Sequence, residues 1–475
     1  MNVRRKNLLC GFAVTLLFST GIQFLPALAA VPAELKAEYT GQDLQDVNAP
    51  DTSTSDSDTA GNVQGDGWQS ANGKKYYYSN GSKLIGMQDI ESKTYYFDLD
   101  SGEMQTGFQK IKDQTYYFSL ESGEMQTGMQ DIEGAVYYFS PENGEMQIGF
   151  QDIDGIEYYF SPDNGEMQTG KLKIGKNVYY YDEDGIMQTG WITLSGKKYY
   201  FSPDNGEMQT GKKKINGKTY YFNDKGVLKT SGWIKAGTDT YYSNKKGVLQ
   251  SGIKVINGNS YYFSDKNYKM QTGWKKINGK KYYFETSGEQ KGVMLKGCIA
   301  GNQKAGYGYV DDSGIKVTAS EVTKAVRFVV ENTDLSLPSD VKLSNCFSAL
   351  WNSCTYQRFY EAPTAQSMPG YADYMFTYKR GNCFRYAASF AYIAKVLGYE
   401  SRVNIGSISS ARGGMTPHGW TEVRVNGVWY MCDANMQRNH PNINSYMRTD
   451  ANYRYRHTRS EAFVLTFWEG QVFWA

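Results

Sequence analysis

The middle of the chain alternates aromatic and polar residues in short runs that recur about every 20 residues, a spacing typical of repeat proteins. Adjacent tyrosine pairs mark eleven such repeats, at spacings of 19 to 21 residues. The pairs begin at Tyr76, Tyr95, Tyr116, Tyr137, Tyr158, Tyr179, Tyr199, Tyr220, Tyr241, Tyr261 and Tyr282. Between Gly211 and Phe222, an Asn-Gly pair separates two short runs, which is the strongest local indication of a tight β-hairpin. We therefore expect eleven hairpins over residues 67–294.

A single two-stranded hairpin is marginally stable in water, so each repeat must bury its aromatic side chains against the next one. Alternate side chains of a strand face opposite sides, so one tyrosine of a pair can join a core while the other stays available for contact. Most repeats close with Met-Gln-Thr-Gly, as at Met104 to Gly107, and this glycine suits a turn with positive φ. The predicted fold of this region is a β-hairpin solenoid.

From residue 300 onward the hydrophobic pattern lengthens and predicts an α+β domain over residues 300–475. The helix that starts at Cys383 is apolar on a broad face, so we expect it to be central to the domain. The other predicted helices are Ser320 to Glu331 and Ser339 to Cys354. The predicted strands are Ser401 to Ile408, His418 to Val425, Val428 to Asp433 and Ala462 to Phe467.

The first 66 residues differ from both regions. Residues 1–30 combine a basic start, an apolar run from Leu8 to Leu25 and a small-residue end, which is the layout of a secretory signal peptide. Residues 31–66 are acidic and nearly free of aromatic residues, so we expect a disordered linker. No later apolar stretch is long enough to span a bilayer. We expect a secreted protein that is held non-covalently at a surface.

Composition separates the regions and limits the chemistry. Arginine is absent between Arg5 and Arg327, which marks a module boundary, and the net charge of +2 argues against a nucleic-acid partner. The mature chain has five cysteines, an odd number, so at least one thiol is free. Cys346 and Cys354 could bridge, or each could be a buried thiol. No metal-binding spacing occurs, and we expect neither zinc nor another cofactor.

Three residues suggest a catalytic triad: Cys383 at the predicted helix start, His418 on a strand, and Asp433 at the end of the returning strand. A thiol, an imidazole and a carboxylate in these places can form one hydrogen-bonded array that activates a nucleophile. Helix-end N–H groups would stabilise a thiolate at Cys383. Asn435 is an alternative to Asp433 as the group that orients the imidazole. Trp420 could either shield an intermediate from water or belong to the core.

The remaining histidines, His440 and His457, lie in polar loop contexts. We expect both to be surface residues without a catalytic role.

The segments around the triad resemble the transglutaminase-like superfamily over roughly residues 320–440, with a Cys at a helix start, His-x-Trp-x-Glu-Val on a strand and an Asp after the next strand. Gly419 stands where relatives more often have Ala. The resemblance implies a papain-like α+β fold and acyl transfer through a thioester on Cys383. An amine acceptor would make the enzyme a transglutaminase, whereas water would make it a deamidase or a peptidase. The implied substrate is an envelope protein or peptide.

The repeats resemble the cell-wall-binding repeats of Gram-positive surface proteins, which include choline-binding and glucan-binding types. Choline-binding relatives usually have Trp after the repeat glycine, whereas several repeats here have Phe, Met, Lys or Ile. This variation favours stacking of a wall or host glycan, with choline-bearing teichoic acid as the alternative. The candidate ligand residues are Trp68, Trp191, Trp233, Trp274, Tyr199, Tyr220, Tyr241 and Tyr282.

The whole sequence therefore predicts a secreted, wall-associated cysteine acyl-transfer enzyme of transglutaminase-like type. The alternatives are a cysteine peptidase with the same triad and a non-catalytic surface adhesin whose aromatic residues bind glycan.

Overall fold

The structure is a computed structural model that describes residues 65–410 and 413–475. The predicted signal peptide and all but the last two residues of the predicted linker lie outside the described residues. The described residues divide into two compact parts, residues 65–67 with 78–82, and residues 68–77 with 83–410 and 413–475. In the first part, the Gly81 N–H donates to the Asp66 carboxylate at 3.0 Å. The sites and surfaces treated below belong to the second part.

The repeat strands are short and nearly equal in length. They are β1 Gly67–Ala71, β2 Lys74–Ser79, β3 Ser82–Lys83, β4 Gly86–Ile90, β5 Lys93–Phe97, β6 Gly107–Ile111, β7 Gln114–Phe118, β8 Gly128–Ile132, β9 Ala135–Phe139, β10 Gly149–Ile153, β11 Ile156–Phe160, β12 Gly170–Ile174, β13 Asn177–Tyr181, β14 Gly190–Leu194, β15 Lys197–Phe201, β16 Gly211–Ile215, β17 Lys218–Phe222, β18 Gly232–Ala236, β19 Asp239–Ser243, β20 Gly252–Ile256, β21 Asn259–Phe263, β22 Gly273–Ile277 and β23 Lys280–Phe284.

The elements after the repeats alternate helices and strands. The strands are β24 Cys298–Ala300, β25 Gly308–Val310, β26 Thr355–Tyr356, β27 Arg380–Gly381, β28 Glu400–Ser409, β29 Met415–Val425, β30 Val428–Cys432, β31 His457–Trp468 and β32 Gln471–Trp474. The helices are α1 Ser320–Asn332, α2 Ser339–Ser353, α3 Met368–Tyr378, α4 Cys383–Val396 and α5 Ala434–Asn439.

The repeats fold as the sequence predicts, as hairpins of about 21 residues including their connections, and we number them repeat 1 (β1–β2) to repeat 11 (β22–β23). In repeat 8, Gly211 lies opposite Phe222 and Ile215 opposite Lys218. Asn216 and Gly217 between the strands have φ values of 47° and 74°. Two consecutive positive φ angles are what a tight type I′ hairpin turn requires, and Asn-Gly adopts them at little cost.

Neighbouring repeats complete each other's core. The last aromatic residue of the second strand is fully buried in nearly every repeat, at Phe97, Phe118, Phe139, Phe160, Tyr181, Phe201, Phe222, Phe263 and Phe284. The connection after repeat 3 returns to repeat 2, where the Met125 N–H donates to the Thr94 carbonyl at 2.8 Å. Gly123 of this connection has a φ of 77°, and a Cβ there would lie 2.4 Å from the Met104 sulfur, so both the backbone and the packing favour glycine. The stacking therefore depends on contacts between consecutive repeats.

A further hairpin, β24–β25, follows repeat 11, and the predicted domain boundary at residue 300 falls inside it. The Asp311 carboxylate accepts from the Ser313 and Ile315 N–H groups of its own turn, at 3.0 and 2.9 Å. Its other oxygen accepts from the Gly470 N–H at 2.7 Å, in the turn between β31 and β32. This hairpin therefore links the repeat array to the C-terminal domain.

The C-terminal domain is built on a five-stranded antiparallel sheet with the order β30–β29–β28–β31–β32. Helix α4 packs on one face of this sheet and is buried along nearly its whole length, as predicted for a central helix. Two side chains of the sheet bond to α4 carbonyls: the Thr421 hydroxyl donates to Ala387 at 2.7 Å, and the Ser401 hydroxyl to Ala391 at 2.8 Å. The sheet thus fixes the position of the helix start.

The sequence did not predict helices α3 and α5, or strand β32. Helix α3 starts with Pro369 and Gly370 in its first turn and has a weak amphipathic pattern, so its stability comes from packing on α1 and α4. Strand β31 begins at His457 rather than at the predicted Ala462, because its polar first residues pair with β28.

All five described cysteines are free thiols, so Cys346 and Cys354 are buried thiols and not a disulfide. No helix in the described ranges is both long and apolar enough to cross a membrane.

Candidate active site and repeat clusters

Cys383 is the first residue of α4, and its side chain is almost fully buried. The Asn382 side chain caps the helix by accepting the Arg385 N–H at 3.2 Å. The Asn382 carbonyl also accepts the Tyr386 N–H at 3.1 Å, so the N–H groups left at the open end of the helix are those of Cys383 and Phe384. The Cys383 side chain therefore starts at the open end of the helix.

His418 lies between Cys383 and Asp433. Its Nε2 is 2.7 Å from Asp433 Oδ2, and its ring also hydrogen-bonds with the Cys383 side chain. Because Nε2 is occupied by the carboxylate, Nδ1 is the nitrogen that faces the sulfur. The other Asp433 oxygen accepts the Met436 N–H at 2.9 Å and so caps α5. One carboxylate thus orients the imidazole and is itself fixed by a helix start.

The charge of His418 depends on these partners. Burial disfavours the imidazolium, but the Asp433 carboxylate and the hydrogen bonds to Asp433 and Cys383 outweigh burial and raise the pKa of His418 to about 10. This upward shift favours a protonated ring near neutral pH, in which Nδ1 carries a proton on the side of the Cys383 sulfur. Asn435, the alternative partner, instead accepts a long 3.5 Å hydrogen bond from Asn439.

Trp420 is a core residue directly behind His418. Its side chain is fully buried, its ring lies nearly parallel to the His418 ring at 6.3 Å, and its N–H donates to Glu422 at 3.3 Å. The buried Glu422 carboxylate also binds Arg402 and Arg459, each at 2.6 Å. This network holds the indole in place and supports the reading of Trp420 as core.

His457 differs from the prediction of a surface residue, whereas His440 is exposed as expected. The His457 ring is half-buried and packs edge-on against Trp420 at 4.7 Å. Its Nδ1 donates to the Tyr455 carbonyl at 2.9 Å, and burial lowers its pKa. Its position at the start of β31 could not be seen from the sequence, because that strand was predicted to start later.

Arg385, two residues after Cys383, was also missed. Its buried guanidinium lies 3.6 Å from the centre of the Phe359 ring and 4.5 Å from that of Tyr371, and it pairs with Glu361 at 2.7 Å. These contacts attach the segment before α3 to the start of α4. The signal in the sequence was a basic residue within an otherwise apolar helix.

The type of residue after the repeat glycine alternates along the array, a pattern that was not among the sequence-based predictions. Odd-numbered repeats have Trp or Phe at this position, and even-numbered repeats have Met, Lys or Ile. Five of the odd-numbered aromatic residues are exposed to a similar degree, between 41% and 47%. They are Trp68, Phe108, Phe150, Trp191 and Trp233.

Each of these five rings meets two tyrosines in a three-ring cluster. Trp191 lies 5.1 Å from Tyr200 of its own hairpin and 5.0 Å from Tyr220 of the next, at interplanar angles of 63° and 71°. The other four clusters are Trp68 with Tyr77 and Tyr95, Phe108 with Tyr117 and Tyr137, Phe150 with Tyr159 and Tyr179, and Trp233 with Tyr242 and Tyr261. Because the rings are steeply inclined to one another, they do not form a flat platform.

Two of the intervening interfaces already contain a cation. Lys171 Nζ lies 5.2 Å from the centre of the Tyr199 ring, and Lys212 Nζ lies 5.8 Å from that of Tyr241. Tyr199 and Tyr241 have the same position in their repeats as Tyr220, which contacts Trp191 from the next hairpin. Their faces are thus turned towards an ammonium group of the same chain.

Trp274 belongs to the junction with the C-terminal domain rather than to an open cluster. Its N–H donates to the Gly306 carbonyl at 3.0 Å, and Lys281 and Lys316 lie over its ring. Tyr282 pairs through its backbone with Ile315 and makes no ring contact within the described residues. The predicted ligand residues that the clusters contain are therefore Trp68, Trp191, Trp233 and Tyr220.

Comparison with protein families agrees with both halves of this architecture. Residues 105–148, 147–185, 173–212 and 250–291 match the choline-binding repeat family, and residues 213–228 match a putative cell wall binding repeat. Residues 330–434 match the transglutaminase-like superfamily. The chain joins choline-binding repeats to a transglutaminase-like domain.

Several solved structures with similar chains come from Streptococcus pneumoniae. Choline binding protein F is 28% identical, covering 54% of this chain and 100% of its own, with a TM-score of 0.43. CbpJ from strain TIGR4 is 27% identical over 53% of this chain and 100% of its own, with a TM-score of 0.42. The modular autolysin LytC is 20% identical over 48% of this chain and 52% of its own, with a TM-score of 0.32. No curated protein sequence matches the chain.

Proposed function

We propose that the C-terminal domain is a cysteine acyl-transfer enzyme that acts on a glutamine carboxamide or a peptide bond at the cell wall, where the repeats retain it. The observation that carries this proposal is the Cys383–His418–Asp433 array at the start of α4, with His418 Nε2 2.7 Å from the Asp433 carboxylate. The transglutaminase-like family match supports the same reaction class.

In the first half-reaction, the Cys383 sulfur attacks the carbonyl carbon and forms a C–S bond. The carbonyl oxygen becomes an oxyanion, for which the Cys383 N–H is a donor at the helix start. The C–N bond then breaks, and His418 gives its Nδ1 proton to the departing ammonia or amine. The product of this half-reaction is a thioester on Cys383.

In the second half-reaction, water or a primary amine attacks the thioester carbon. Neutral His418 takes the proton of the attacking group, the C–S bond breaks, and the pair of thiolate and imidazolium is restored. Asp433 keeps His418 in the orientation that presents Nδ1 to the sulfur. An amine yields a cross-linked product, and water yields a carboxylate.

The repeats supply the wall contact through the three-ring clusters. A quaternary ammonium group binds within a concave set of aromatic faces, whereas a sugar stacks on a flat exposed face. The inclined rings around Trp191 and its four counterparts therefore favour a cationic ligand such as choline over the glycan that the sequence alone favours. Around Trp68, the cluster borders a cavity of about 380 Å³ that Lys75 and Tyr95 also line.

The test of the enzyme uses the full chain, because β24 crosses the boundary at which a shorter C-terminal fragment would begin. The protein is incubated with dimethylated casein and dansylcadaverine, and dansyl incorporation and ammonia release are followed together. Incorporation that depends on Cys383 identifies a transglutaminase, and ammonia without incorporation identifies a deamidase. The matched control is Cys298→Ser, which alters a free thiol outside the array.

If neither signal depends on Cys383, the wild type, Cys383→Ala and Cys298→Ser are incubated with purified cell wall, and released peptides are measured. Peptide release that requires Cys383 would identify a peptidase. Absence of every Cys383-dependent signal would refute the enzyme and leave a surface-binding protein.

A further inference from the structure

The array consists of two parts with opposite formal charge. Repeats 2 to 5, residues 86–169, contain 17 acidic and three basic residues, a formal charge of −14. Repeats 6 to 11 with their last connection, residues 170–294, contain 22 lysines and ten acidic residues, a formal charge of +12. The small net charge of the whole chain conceals this separation.

The change of sign occurs at the same place in the hairpin. The third residue after the repeat glycine is exposed on the first strand of both halves. In the acidic half it is Asp89, Asp131 or Asp152, with Lys110 as the exception. In the basic half, four of six repeats have lysine there: Lys173, Lys214, Lys235 and Lys276. An equivalent surface therefore has opposite charge in the two halves.

The basic half is not neutralised by its own acidic residues. Of its 22 lysines, the described structure gives an ion pair to two, Lys269 with Asp239 at 2.7 Å and Lys280 with Glu469 at 3.2 Å. Like charges kept close together repel one another and destabilise the fold slightly, unless an anion binds between them.

We infer that repeats 6 to 11 form a binding surface for a phosphodiester polymer of the cell wall, separate from the ammonium clusters. We call this set of exposed lysines the lysine surface, with Lys173, Lys214, Lys235 and Lys276 as its repeated positions. Lysine is a compact point charge suited to phosphate oxygens, and exposed lysines repeated along an array can contact a polyanion without needing a fixed register.

The neighbouring clusters decide between kinds of polyanion, and this step rests on the proposed function. Trp233 and Lys235 are two residues apart on one strand, so their side chains are on the same side of the hairpin. Trp233 belongs to a cluster suited to a quaternary ammonium group, and the Lys235 side chain is exposed. A wall polymer that carries both phosphate and ammonium groups would engage both, whereas a nucleic acid offers only phosphates.

The first test measures binding of fluorescent inorganic polyphosphate to the full chain at several salt concentrations. The variant Lys173→Glu/Lys214→Glu/Lys235→Glu/Lys276→Glu should bind about tenfold or more weakly at low salt, with a shallower dependence of affinity on salt, because four phosphate contacts are lost. Choline chloride should not displace polyphosphate, since the clusters are separate.

The matched pair is Lys214→Glu and Lys110→Glu, which make the same change at the same exposed hairpin position in opposite halves. The first should weaken polyphosphate binding about two- to threefold, and the second should leave it unchanged. Equal effects of the pair, or no binding by the wild type at low salt, would overturn the inference.

Two further outcomes would reassign the lysine surface. Tighter binding of oligo(dT) than of purified choline-bearing wall polymer with the same number of phosphates would indicate a nucleic-acid partner. Wild-type self-association in sedimentation that Lys214→Glu abolishes, without polyphosphate binding, would indicate a second copy of the chain. If polyphosphate binds as expected but the protein does not bind choline, the inference holds and the proposed ammonium clusters fail.

Discussion

The repeat array and the C-terminal domain assemble their functional residues over different distances along the chain. In the array, a cluster such as Trp191, Tyr200 and Tyr220 comes from two consecutive hairpins. In the C-terminal domain, Cys383, His418 and Asp433 come from a helix start, a strand and a helix cap, and they meet only because α4 lies on the sheet. A substitution in the array should therefore affect one cluster, whereas a substitution in the C-terminal domain should affect the single site that these three residues share.

The largest expected effect is on the shared site. Asp433→Asn should lower kcat/KM by roughly 10³- to 10⁴-fold, because the amide no longer holds the imidazole in the productive orientation and protonation state. Asn is as good a helix cap as Asp, so the cap on α5 should survive. Activity is measured with the casein assay and folding by thermal unfolding. A loss below tenfold, with folding intact, would contradict the assigned role.

In the array, the loss of stability caused by a substitution should depend on how deeply the side chain is buried. Phe139→Ala should reduce the unfolding free energy of the array by about 3–5 kcal/mol, because the ring is fully buried between neighbouring repeats. Phe150→Ala in the next repeat removes the same side chain where it is 47% exposed and should cost about 1 kcal/mol or less. Denaturant unfolding followed by tyrosine fluorescence measures both. Similar losses would show that the core assignment is wrong.

The pH dependence gives a smaller and more specific comparison. His418 has its pKa raised to about 10 in the folded protein, above the roughly 6.5 of an unfolded chain. Its protonation therefore contributes stability that is fully present below about pH 6.5 and is lost as pH rises towards 10. The unfolding free energy should fall across this window, and the alkaline limb of kcat/KM should lie near pH 10. In Asp433→Asn both features should move to lower pH, and an unchanged profile would argue against this coupling.

The smallest expected effect concerns single clusters. Trp191→Ala should lower the number of choline molecules bound per chain from five to four, because each three-ring cluster is independent of the others. Trp274→Ala should leave the number at five, since that ring is covered by Lys281, Lys316 and the Gly306 carbonyl. Equilibrium dialysis with labelled choline distinguishes the two. Loss of all binding in Trp191→Ala would mean that the clusters are coupled.

Local patterns were enough for much of the fold. The tyrosine pairs and the Asn-Gly turns predict the hairpins because a tight turn and strand alternation depend on residues close in sequence. The apolar face of α4 predicts its central place because a helix that is apolar on a broad face must be covered. Helix α3 could not be predicted in this way, since packing on α1 and α4 stabilises a segment whose own pattern is weak.

The candidate site divides along the same line. The sequence alone predicted Cys383, His418 and Asp433 as the candidate catalytic residues, because a thiol, an imidazole and a carboxylate in those surroundings have few other uses together. It also determined the charge of each repeat. Other features became visible only in the tertiary structure. Asp433 rather than Asn435 bonds to His418, Trp420 lies in the core, and His457 is half-buried. In the array, five aromatic clusters alternate with interfaces where the residue after the repeat glycine is Lys, Met or Ile. Those outcomes depend on which side chains meet across strands and neighbouring repeats, and such meetings are fixed by packing of the whole chain.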